Sequence, residues 1–75
     1  MQTRGIELGG WAKFATGWGE RVRPSFFRRC WNKPCPKEMV PFAVILPNDK
    51  LDWYLVPADA EVERVGSTQD LARLN

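Results

Sequence analysis

The chain contains no histidine. That removes the commonest general base, the usual partner that activates a nucleophile, and the commonest neutral metal ligand. Cysteine is nearly as scarce. Cys30 and Cys35 supply two thiols where a tetrahedral structural zinc needs four Cys or His ligands, so neither a metal nor another cofactor is expected. The simplest reading makes Cys30 a small buried hydrophobe on a helix face and Cys35 a loop thiol. Phosphate-cradling loops are missing as well. Gly9-Gly10 and Gly17-Trp18-Gly19 lack the Lys-Ser/Thr of a P-loop and the strand-glycine-helix order of a dinucleotide site. The longest apolar run, residues 40–46, is far too short to span a bilayer, and residues 1–10 do not resemble a secretory signal. These absences predict a protein that is not an enzyme and has no membrane partner. A cytoplasmic location, where thiols stay reduced, is the matching expectation.

What the chain does have is a charge split. Residues 1–37 carry eight Lys/Arg (Arg4, Lys13, Arg21, Arg23, Arg28, Arg29, Lys33, Lys37) against Glu7 and Glu20, a local charge of +6. Residues 38–75 carry three (Lys50, Arg64, Arg73) against seven acids, a local charge of −4. Six of the nine aromatic residues (Trp11, Phe14, Trp18, Phe26, Phe27, Trp31) fall in the basic part. Interleaved cations and flat rings suit the binding of something anionic.

Seventy-five residues make one domain, 1–75, because a chain of this size buries only about 60% of its unfolded surface and cannot support two cores. Stability is then marginal, and oligomerisation or a partner is a natural support. The 44% hydrophobic content and four Trp still argue for a folded protein.

Residues 1–20 are broken by glycines into short pieces. Ile6 and Leu8 alternate with Glu7, and Trp11 with Lys13, predicting two strand-like stretches, with Trp18 in a loop between Gly17 and Gly19. Residues 25–33 show a helical period, with Phe26, Phe27, Cys30 and Trp31 on one face and Arg28, Arg29, Asn32 and Lys33 on the other. Ser25 is the expected N-cap, and Pro34 and Pro36 stop the helix. Residues 41–56 read as a hairpin turning at Pro47-Asn48-Asp49, with Leu51, Trp53 and Leu55 pointing inward and Asp52 and Tyr54 outward. The expected core is Phe42, Val44, Leu46, Leu51, Trp53 and Leu55. A tight turn at 58–60 and a strand at 61–65 closed by Gly66 follow, with Asp59, Glu61 and Glu63 forming an exposed acidic stripe. Ser67 and Asp70 then open a short C-terminal helical turn.

The predicted fold class is therefore α+β, a β-rich antiparallel sheet of three to five strands with a short basic helix near 25–33 and a C-terminal helical turn. The order of strand, Pro turn and short final strand over residues 51–65 resembles small SH3-like barrels.

Two functional readings follow. The first is a small non-enzymatic interaction protein that docks on a larger protein or nucleoprotein complex and modulates or inhibits it, as a phage-type inhibitor or host-takeover factor would. Trp and Arg dominate binding hot spots, and this chain is rich in both. The second is a module for RNA or single-stranded DNA, with Arg21, Arg23, Arg28, Arg29, Lys33 and Lys37 on phosphates and Trp11, Trp18 or Trp31 stacking on bases. A homo-oligomer whose basic half meets the acidic half of a neighbour is compatible with either.

Overall fold

The structure is a computed structural model that describes residues 1–67. Five strands, β1 (Gly10–Phe14), β2 (Gly17–Arg21), β3 (Met39–Ile45), β4 (Leu51–Pro57) and β5 (Glu63–Ser67), form one antiparallel sheet in the order β4-β3-β2-β1-β5. A 3-10 turn at Thr3–Gly5 precedes β1, and helix α1 (Pro24–Trp31) joins β2 to β3. This is the small β-rich domain with one short helix that the pattern predicts. The C-terminal helical turn expected beyond Ser67 lies outside the described residues.

Local chemistry explains the joints. Two residues, Ala15 and Thr16, turn β1 into β2, and Thr16 Oγ1 shares a hydrogen bond with Tyr54 Oη. Between β3 and β4, Asp49 N donates to Leu46 O at 3.0 Å with Pro47 preset at the first central position. Asp49 takes the left-handed conformation at φ 62, which Asp tolerates better than most residues, and Asn48 Oδ1 accepts from Lys50 N at 3.2 Å. The turn after β4 closes through Ala60 N to Pro57 O. Pro24 occupies the first helical turn of α1, where its missing N–H is not needed, and Arg23 rather than Ser25 is the N-cap. The helix stops at Trp31, two residues earlier than expected, because Asn32 adopts φ 55 and its N–H returns to Arg28 O at 2.8 Å.

One face of the sheet holds the core. Ile6, Ala12, Val40, Phe42 and Val44 are buried, with Phe14, Leu46, Tyr54, Val56, Ala58 and Val62 packed against them. Phe14 meets Phe42 and Tyr54 edge-on at 5.1 and 5.6 Å. The N-terminal segment lies between the end of β4 and β5. Thr3 N and Arg4 N donate to Ala60 O and Ala58 O, Thr3 Oγ1 donates to Pro57 O, and Gln2 bridges to Glu61. Residues 6–8 therefore form no strand. They turn instead, with Gly10 N on Glu7 O and Gly9 at φ 80.

The face assignment of β4 is the main correction. Register pairs Phe42 with Tyr54 and Val40 with Val56, so Tyr54 and Val56 join the core, while Leu51, Trp53 and Leu55 share the opposite face with Ile45, Ala43 and Pro41. That opposite face is partly covered by α1. Phe27 is fully buried there against Trp31 (5.1 Å) and Trp53 (6.1 Å), and Phe26 packs on Trp53 at 5.8 Å. Cys30 is exposed instead of buried, since so short a helix buries a narrow stripe centred on Phe27 and Trp31. The final strand runs through Gly66 rather than ending there, with a bulge opposite Trp11 and Ala12. The acidic residues form no single stripe: Asp59 sits in the turn, Glu61 meets the Met1 amino group at 2.9 Å, and Glu63 pairs with Lys13 in the ladder.

Candidate interaction site

The outer face of the sheet presents two cross-strand rows. Register places Leu51, Ile45, Trp18 and Lys13 side by side in the first, and Trp53, Ala43, Glu20 and Trp11 in the second. Helix α1 covers Trp53, but the first row stays open: Leu51, Trp18 and Ile45 are 55%, 47% and 43% exposed. Trp11, Gly17, Trp18, Ile45, Leu46 and Pro47 line a shallow groove of about 350 Å³ that holds no charged side chain. Contiguous exposed apolar surface bounded by charges such as Lys13 and Glu63 marks an interaction site more often than an accident of folding.

Trp18 reaches this face because its neighbours are small. Gly17 and Gly19 turn toward the other side of β2, where a Cβ on Gly19 would stand 2.8 Å from the Phe14 ring and 2.9 Å from Val44 Cγ2. Gly-Trp-Gly is therefore a strand whose inner positions must be bare, and the expected loop at Trp18 is replaced by β2.

The nine residues singled out from the sequence do not converge on one site, although Trp11 and Trp18 share the groove just described. Arg28, Arg29 and Lys33 line one groove of about 530 Å³ with Ser25, Asn32 and Pro34, along the outer side of α1 and the turn after it. Ser25, Arg28, Arg29 and Asn32 follow helical spacing, and none of the cations in this groove forms an ion pair among the described residues. Trp31 is half-buried on Phe27 with the Lys33 ammonium 4.5 Å from its ring, so it packs the helix instead of offering a free stacking face. Arg21 is turned inward, its guanidinium donating to the carbonyls of Ile6 and Arg4 while its buried Nε has no partner. Arg23 is exposed at the start of α1, and Lys37 lines a separate groove with Arg4, Glu38 and Asp59.

Sequence reading missed Ile45 and Leu51 as members of the open face. The one signal available was the parity of β4 against β3, which only the register resolves. Burial raises the Cys35 thiol above its ordinary range, and its Sγ lies near the carbonyls of Pro36 and Met39. No helix among the described residues is long and apolar enough to cross a membrane. Comparison with protein-family models, with curated proteins and with solved structures gave no match.

Proposed function

We propose that this protein is a non-enzymatic docking module that binds a larger protein or nucleoprotein complex through the outer face of its sheet and thereby modulates or inhibits it. The observation that supports this is the open row Leu51, Ile45 and Trp18 with its charge-free groove. A nucleic-acid strand needs cations along its backbone, and the groove beside Trp18 has none in its lining. An apolar side chain of a protein partner suits it better, with Trp18 as the anchor and the charged rim setting orientation. The return of β5 to the far edge of β1, after a meander through β2, β3 and β4, supports the further proposal that the sheet is SH3-like. Two free thiols suit a reducing cytoplasm, and a phage-type inhibitor remains the model for such a role.

The basic groove on α1 supports a second reading. Arg28, Arg29 and Lys33 lie together without a carboxylate in the lining, which suits phosphate groups of RNA or single-stranded DNA. Capture from the native cell separates the two. The docking reading expects a protein partner whose recovery survives nuclease, falls at least tenfold with Trp18→Ser or Ile45→Lys, and persists when Arg28, Arg29 and Lys33 are all changed to Gln. Recovery that vanishes with nuclease and with the triple change, but ignores Trp18, would replace it with the nucleic-acid reading.

A further inference from the structure

Strand β4 is an edge: among the described residues, no strand lies beyond it. Its hydrogen-bonding parity is fixed at both ends of the ladder with β3, where Leu46 N donates to Lys50 O at 2.8 Å and Ala58 N donates to Glu38 O at 2.9 Å. Pairs in an antiparallel ladder alternate, so the even-numbered residues of β4 bond to β3 and the odd-numbered ones aim N–H and C=O outward. Pro57 obeys this parity, having no N–H to offer on the open side, and its carbonyl is already taken by Thr3 Oγ1. The open stretch is therefore Leu51, Trp53 and Leu55, with Trp53 at its centre. Natural edges of this kind are blunted by lysine, proline, a bulge or an inward-facing charge; here the β3–β4 register is unbroken, residues 51–56 contain no Lys or Pro, and Asp52 is the one charge on the stretch.

We infer that this edge is the interface of a homodimer in which two copies of β4 pair antiparallel about a two-fold axis at Trp53. Among the registers that keep the required parity, those centred on Leu51 or Leu55 set Trp53 opposite Asp49 of the turn or opposite Pro57 and leave most of the stretch unpaired, so three remain to compare. Setting Leu51 against the second copy's Trp53 places Asp52 directly opposite its own counterpart, a like-charge pair that disfavours the ladder. Setting Trp53 against the second copy's Leu55 brings Leu51 opposite Pro57, which can neither donate nor accept freely. Only the register with Trp53 on the axis pairs every outward group of the stretch. It sets Leu51 against the second copy's Leu55 on the outer face and Asp52 against the second copy's Tyr54 on the inner one, the self-complementary arrangement that a two-fold interface demands. A second copy is thus the occupant that this edge matches group for group.

Two features of the chain shape the equilibrium. Asp52 Oδ1 accepts from Trp53 N at 2.8 Å, so in the single chain this carboxylate covers the central outward donor and must swing away on pairing. Helix α1 rests on Trp53 through Phe26 and Phe27, so pairing brings two helices carrying Arg28, Arg29 and no acid onto one continuous face. Like charge opposes the dimer at low salt. Screening relieves it.

The inference shares Leu51 with the docking reading but is tested apart from it, since it needs only the purified full chain. Sedimentation velocity over a concentration series should show a monomer–dimer equilibrium that strengthens as salt rises from about 50 to about 500 mM. Leu55→Pro deletes an outward N–H that the β3 ladder does not use, and should leave a folded monomer, while Leu55→Ala keeps the backbone donor and still dimerises. Asp52→Ala should tighten association by roughly tenfold, because it uncovers a donor in each copy. In a Cys30→Ser, Cys35→Ser background, a mixture of Leu51→Cys and Leu55→Cys chains should crosslink with a short thiol reagent, and neither alone should. A wild-type chain that stays monomeric at about millimolar concentration in high salt would overturn the proposal. So would a Leu55→Pro chain that dimerises like wild type, or crosslinking by Leu51→Cys alone. If Leu55→Pro fails to fold, the Asp52 and cysteine arms still decide.

Discussion

Val44 and Ile45 are neighbours on β3 that the structure sends to opposite faces, and truncating each to Ala tests the face assignment directly. Val44 is fully buried opposite Asp52 and beside Gly19, within reach of the Phe14 ring, whereas Ile45 is 43% exposed in the open row. Removing two buried carbons from Val44 loses about 1.6 kcal/mol of transfer free energy, and the cavity left in a packed core raises this to about 2–3 kcal/mol. Ile45 loses three carbons but only half-buried ones, and solvent fills the space, so about 1 kcal/mol is expected. The larger truncation should therefore be the milder. At about 4–8 °C per kcal/mol for a domain of this size, Val44→Ala should lower Tm by about 10–20 °C and Ile45→Ala by about 4–8 °C. Urea unfolding followed by far-UV circular dichroism should give the same order with unchanged m-values. If Ile45→Ala proves the more damaging, the outer face is a second core and the interaction site built on it is wrong.

Three further outcomes follow from particular residues. Gly19→Ala should destabilise by about 1–3 kcal/mol, measured by thermal melting, because its Cβ presses on the Phe14 ring and Val44 and neither can move without repacking the core. Arg21→Lys should weaken the fold by about 1–3 kcal/mol in urea titration, since an ammonium cannot reproduce the guanidinium's bonds to the Ile6 and Arg4 carbonyls from the same depth; an unaltered midpoint would mean that Arg21 is a surface cation after all. Iodoacetamide labelling at pH 8, followed by mass spectrometry, should modify exposed Cys30 well before Cys35, because burial raises the Cys35 pKa and keeps it a thiol to higher pH.

Much of the fold was legible from local chemistry. Pro47-Asn48-Asp49 announced its hairpin, residues 58–60 their tight turn, and Pro24 with the following aromatic period a short basic helix. The two faces of β4 were not legible, since Tyr54 and Val56 meet the core while Trp53 sits under α1. Apolar residues on both sides erase the alternation that would distinguish in from out. The N-terminal segment was misread for a different reason. Thr3 is buried by bonds to Pro57 and Ala60, more than fifty positions away, and Ile6 is held by an Arg21 side chain folded back on its carbonyl, neither of which a local pattern encodes. The candidate site was half visible: exposed Trp18 and the α1 cations stand out in the sequence, but Arg21 and Trp31 look like binding residues while serving the packing.

The seating of residues 1–4 against residues 57–62 also sets an order in time. Both hairpins and α1 can form from near neighbours, but Thr3 has no bonding partners for its N–H and hydroxyl until the chain has been made as far as Ala60. At ribosomal rates of about 5–20 residues per second, this segment waits about 3–11 s for its docking partners to be made. Closing so distant a contact carries a loop-entropy cost that neither hairpin bears, so this step is expected to limit the folding rate. During that interval the inner surface of the meander, with Phe42 and Val44, stands open to whatever else the cell offers it.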